Sequence, residues 1–218
     1  MNRLIKAVIL LTCVMFVGSA IVFAEIKGSS LSNIENTEEV KIEPAMDAVA
    51  VISGTDNALY PVQETDGIYE GMTLAWEGRF LNFPWRSVAS ETAAAQLMAS
   101  DVTQDGTEDA IVFLTAADGT GVYVEQLHIV DGMQMVEIMM KDPVKTAEEY
   151  IQMSAEFDEV GPVSVGNYVN YEVKDSIVTA TLGVAQSFSQ YIGDLVITYE
   201  YNSKVEEFEA KSILYTAF

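Results

Sequence analysis

Asp101, Thr103, Asp105 and Asp109 stand at positions 1, 3, 5 and 9 of the stretch Asp101-Val102-Thr103-Gln104-Asp105-Gly106-Thr107-Glu108-Asp109, with Gly106 at position 6. Oxygen-bearing side chains at that spacing, turned sharply by a glycine, converge on one point, and calcium is the ion that suits such a cage. The apolar Ala110-Ile111-Val112-Phe113-Leu114 follows at once, so the loop is expected to open a buried strand. An EF-hand would carry a bidentate Glu at position 12, where this chain has Val112. The loop is therefore not an EF-hand.

The Asp-x-Thr-x-Asp-Gly-x-x-Asp pattern running into an apolar strand resembles the calcium loop of FG-GAP and VCBS repeats, known from integrin-like β-propellers. The resemblance implies side-chain ligation by Asp101, Thr103, Asp105 and Asp109, with the backbone carbonyl of Thr107 added. The pattern occurs once, and a propeller is built from several repeated blades, so a propeller is not expected. Together with Phe83-Pro84-Trp85 and Gly119-Thr120-Gly121, the loop also resembles small secreted bacterial proteins of unassigned function that carry one such loop. That likeness runs from about Ile68 to Pro143, and it implies no activity.

Other residues that do chemistry elsewhere are better explained here by packing. His128 is the sole histidine and shares a strand face with Val122, Val124, Gln126 and Val130, which predicts a packed or rim position. Ser164 lacks the glycine two residues before it that a nucleophile elbow requires. Gly119-Thr120-Gly121 has no lysine or helix after it and reads as a hairpin turn, not a phosphate loop. Met133, Met135, Met139 and Met140 are expected to fill core on a strand. Trp76, Trp85, Tyr168, Tyr171, Tyr191, Tyr199 and Tyr201 are expected first as sheet packing, with a carbohydrate- or peptide-stacking face as the functional reading.

The elements that must hold these residues are mostly strands. Turn formers at 53–57, Glu77-Gly78-Arg79, 116–121, Asp131-Gly132, Lys174-Asp175-Ser176 and Asn202-Ser203-Lys204 separate runs rich in β-branched and aromatic residues. The runs predict strands over 46–52, 68–76, 80–85 (ended by Pro84), 93–99, 109–115, 122–130, 133–140, 163–173, 177–185, 195–201 and 205–214. Pro143 at a first turn, followed by Ala147 and Ile151, predicts one short helix over 143–153. The fold class is thus mainly β (α+β), an antiparallel meander of hairpins with one short helix and a possible division into two sub-sheets near 143–161.

Composition bounds the setting. Arg3 and Lys6, the apolar run from Ala7 to Val17 and the small residues before Val22-Phe23-Ala24 predict a signal peptide over 1–24, with an uncleaved membrane anchor as the alternative. Residues 25–45 are polar and acidic, as in a flexible spacer, and 46–218 are long enough for one β-rich domain. Cys13, the single cysteine, lies inside the signal segment, so the cleaved chain would have no disulfide, zinc–thiolate site or cysteine nucleophile. A net charge of −22 opposes nucleic acid and anionic lipid and favours divalent cations. These features lead to the expectation of a secreted, extracellular, calcium-binding, non-enzymatic binding or structural module that meets an extracellular protein or glycan. The alternative is an extracellular, glycosidase-like hydrolase working with paired carboxylates, whose pair the sequence does not single out.

Overall fold

The strand that leaves the loop, Asp109–Gly119, is buried over its first seven residues, because it packs on both faces. Successive side chains of a strand point to opposite faces. Ile111 and Phe113 accordingly enter one hydrophobic core, and Ala110, Val112 and Leu114 enter a second. A strand buried on both sides gains nothing from polar alternation, which accounts for the unbroken apolar run.

The computed structural model describes residues 44–90 and 92–218. The signal segment expected over 1–24 and nearly all of the spacer expected over 25–45 lie outside the described residues. The chain forms β1 (Ala50–Val51), β2 (Ala58–Thr65), β3 (Ile68–Trp76), β4 (Arg79–Val88), β5 (Gln96–Ser100), β6 (Asp109–Gly119), β7 (Val122–Val130) and β8 (Glu137–Met140). After these come α1 (Pro143–Met153), β9 (Ser164–Lys174), β10 (Ile177–Ser187), β11 (Gln190–Asn202) and β12 (Glu207–Ala217). A short 3-10 turn, Ala155–Phe157, links α1 toward β9.

The first four strands form an antiparallel sheet in sequence order, and the other eight form a sheet in the order β5-β6-β7-β8-β12-β11-β10-β9. The larger sheet returns on itself, because β9 also pairs with β7 through Tyr123↔Tyr168 and Val124↔Val169. One edge of β7 therefore serves β9 near its start and β8 near its end, where Ile129 meets Ile138. The strands β7, β8, β12, β11, β10 and β9 close a ring, which leaves fewer unpaired backbone groups than an open sheet would. Where β7 and β9 part, the buried Glu125 carboxylate continues the pairing: its Oε2 accepts from the Tyr171 backbone N–H at 2.8 Å and from Asn170 Nδ2 at 3.3 Å.

The core around α1 and the ring contains Ala147, Val178, Ala180, Leu182, Leu195, Ile197 and Phe208. The helix begins where Asp142 accepts hydrogen bonds from the backbone N–H groups of Val144 and Lys145, with Pro143 in its first turn. The second core joins Leu59, Met72, Leu74, Trp76 and Trp85 of the small sheet to Ala110, Val112 and Leu114 of β6. Both cores therefore depend on β6.

The mainly β fold with one α-helix is as expected, and the helix has the bounds read from the sequence. The arrangement departs from a pure antiparallel meander at two short parallel pairings, β7–β9 and β8–β12. The division between sheets falls between β4 and β5, not near 143–161, where α1 instead connects two strands of one sheet. Strand β4 runs through Pro84 to Val88. It is an edge strand paired only to β3, and the register jumps so that Gly71 faces Pro84 and Trp85, a bulge that spares the missing proline N–H. Ala58–Thr65, which is not among the expected strands, pairs with β3 from Ala58↔Ala75 to Thr65↔Ile68 and carries Pro61 where β1 no longer flanks it.

Residues 132–134 form a turn and 135–136 are irregular, so strand begins only at Glu137. Asp131 Oδ1 accepts from the Met133 N–H at 2.8 Å and the Gln134 N–H at 2.6 Å, and Met135 adopts φ +60°. Of the four methionines expected in the core, Met135 is buried and Met140 packs against core residues, whereas Met133 and Met139 are exposed.

Candidate functional site

The loop between β5 and β6 is closed by its own carboxylates. Asp101 Oδ1 accepts from the Asp105 N–H at 3.1 Å, and Asp101 Oδ2 accepts from the Gly106 N–H at 3.0 Å. Asp105 Oδ1 accepts from the Thr107 N–H at 2.7 Å. Gly106 has φ +93° with nothing within 4 Å of where a Cβ would stand, so backbone conformation, not crowding, calls for glycine there.

Asp109 faces inward with no exposed surface. Its Oδ2 accepts from the backbone N–H groups of Val102 and Thr103 and from Thr103 Oγ1, each at 3.1 Å, and its Oδ1 accepts from the Gly132 N–H at 3.2 Å. Burial pushes the Asp109 carboxyl above its ordinary range, and the bonds from Thr103, Gly132 and Val102 offset only part of that rise. Gly132 must be glycine, since a Cβ would stand 1.9 Å from the Glu108 carbonyl oxygen. Arg79 binds the other side of this turn, donating to the carbonyls of Gly132 at 2.6 Å and Met133 at 3.1 Å.

The structure thus brings Thr103 to Asp109, and it wraps the backbone of Asp105 and Gly106 around Asp101. Among the described residues, no three of His, Cys, Asp and Glu are grouped to hold a metal ion. In kind, the donors suit calcium, being hard oxygens. A carboxylate offers about four lone-pair sites, so Asp101 and Asp105 keep acceptor capacity beyond the bonds above, whereas both Asp109 oxygens are already committed.

A second cluster was not legible in the sequence. His128 Nδ1 lies 2.7 Å from Glu137 Oε1, and Trp85 Nε1 donates to both Glu137 oxygens at 3.1 Å. The Trp85 ring stacks between Phe83, with centroids 4.0 Å apart, and His128, with centroids 4.4 Å apart. Burial draws the Glu137 carboxyl up, but the hydrogen bonds from His128 and Trp85 and the His128 charge outweigh it and hold Glu137 below its ordinary value. His128 Nε2 is buried and has no partner among the described residues. The cluster joins β4, β7 and β8, and no sequence spacing announces that Trp85 reaches Glu137.

No family model matches the chain, nor does any curated protein or solved structure.

Proposed function

We propose that the chain is an exported, non-enzymatic binding module in which calcium steadies the loop from Asp101 to Asp109. The observation that supports this reading is the position of Asp109. It ties the start of the loop at Val102 and Thr103 to the turn at Gly132, and it opens the strand on which both cores are built. An ion held by Asp101, Thr103, Asp105, the Thr107 carbonyl and Asp109 would fix the same junction. Asp109 would then exchange one of its present hydrogen bonds for the ion. In a chain of net charge −22, such an ion would also relieve repulsion between loop carboxylates. The partner would be an extracellular protein or glycan.

The test is thermal unfolding with calcium and with chelator. Calcium should raise the Tm of the wild type, since an ion bound only by the folded state stabilises it. Asp105→Ala should remove most of the rise, because Asp105 is exposed and its one side-chain bond lies within the loop. Glu149→Gln, on the exposed face of α1, should keep it. Equal shifts in wild type and Asp105→Ala would reduce the loop to a solvated turn. Turnover in a screen of glycoside, peptide and ester substrates, lost on substitution of one carboxylate outside the loop, would replace the module by a hydrolase.

A further inference from the structure

The two ends of β6 lead to different places: Asp109 to the loop, and Asp118 and Gly119 to a cavity of about 500 Å³. That volume lies within the range of small-molecule sites, about 300–1,000 Å³. The cavity is lined by Tyr123, Tyr168, Tyr191, Asp118, Asp194 and Phe218 among others, and by no Lys, Arg or His among the described residues.

Its aromatic wall is built, not incidental. A Cβ on Gly166 or on Gly183 would stand 2.4 or 2.3 Å from Tyr191 Cε1, so the Tyr191 ring occupies space that only glycines leave. The Tyr191 hydroxyl is pinned by the Asn167 N–H at 3.0 Å. The pairing of β9 with β10 slips between Leu182 and Val184, which opens the ladder where Gly166, Asn167 and Tyr168 pass Gly183. Tyr123 and Tyr168 stand across the β7–β9 junction with ring centroids 6.2 Å apart.

The charges in this cavity have one sign. Asp118 accepts from Thr92 Oγ1 at 3.1 Å. The carboxylate of Asp194, on β11 beside Gly183, accepts no hydrogen bond from any described residue, and burial pushes it above the ordinary range. A partly buried, unpaired carboxylate is stabilised by a cation and not by a neutral ligand of the same shape. Tyrosine faces attract the same kind of charge.

We propose that this cavity binds a small organic cation, a protonated amine on an apolar body, with Asp194 facing the charge and Tyr123, Tyr168 and Tyr191 holding the body. The site is separate from the calcium loop, so it is tested in chelator, where failure of the calcium reading has no bearing on it.

The experiment is calorimetric titration of the protein with phenethylamine, with its neutral analogue 2-phenylethanol and with cellobiose. Phenethylamine should saturate one site and bind about ten-fold more tightly than 2-phenylethanol. Asp194→Asn should erase that preference, and Tyr168→Ala should weaken both ligands. Tyr168 is 38% exposed, so its loss leaves the core in place if Asp194→Asn fails to fold. Glu149→Gln should change nothing, which separates a site from general attraction to an acidic surface. Equal binding of amine and alcohol, saturable binding of cellobiose without the amine, an equal loss in Glu149→Gln, or no saturation by the amine would each overturn the proposal.

Discussion

Glu125 is a buried carboxylate and Glu137 a half-buried one, and their surroundings move them in opposite directions. Glu137 is held below its ordinary value, so it binds fewer protons folded than unfolded, and the stability it contributes is lost as pH falls through its folded pKa. Glu125 is held above its ordinary value by burial, against bonds from Tyr171 and Tyr123. It binds protons more readily folded, so its contribution to stability declines as pH rises from the unfolded value through the folded one. Glu137→Gln should lower stability at pH 7 by about 1.5–3 kcal/mol, as for lost hydrogen bonds to a charged group, and by less near pH 4. Glu125→Gln keeps an oxygen for the Tyr171 N–H and removes a desolvated charge. It should leave stability at pH 7 within about 1 kcal/mol of wild type while flattening the decline above the ordinary glutamate pKa. Denaturant unfolding at several pH values measures both.

Among the elements, β6 carries most. Ile111 and Val112 are both fully buried but face different cores, so Ile111→Ala should cost about 2–5 kcal/mol, and Val112→Ala a further, nearly separate amount. At the start of α1, Asp142→Ala should cost about 0.5–2 kcal/mol through the lost cap, read as a lower denaturation midpoint. Elements whose partners are near in sequence were legible. The runs at 68–76 and 122–130 and the helix at 143–153 have the expected bounds, because local turns and capping set them. Pro84 does not end its strand, because its tolerance depends on β4 being an edge with a bulge, a fact of the assembled sheet. The 133–140 run is strand only from Glu137, since the Asp131 cap outcompetes strand pairing up to Val136. The loop residues were legible as a group. The inward turn of Asp109 toward Gly132 and the contact of Trp85 with Glu137 were not, since both join distant segments, and His128 meets Glu137 nine residues on only because the turn after Asp131 sets the register of β7 and β8.

At the scale of the whole molecule, the ring depends on β12, which lies between β8 and β11 and pairs with β11 from Gly193↔Ala217 to Asn202↔Glu207. Removing residues 207–218 should expose one edge of β11 and leave β8 paired to β7 alone, with loss of cooperative unfolding and concentration-dependent association as the expected outcome. Scattering and a denaturant melt read both. The same connectivity sets an order in time. A chain made from its N-terminus can pair β1 through β4, and β5 through β8, from near neighbours, but the other edge of β8 waits for a partner some seventy residues away, Phe208 against Met140. The ring therefore closes only once β12 has been made, and until then Leu195 and Ile197, later fully buried, belong to a strand with one open edge.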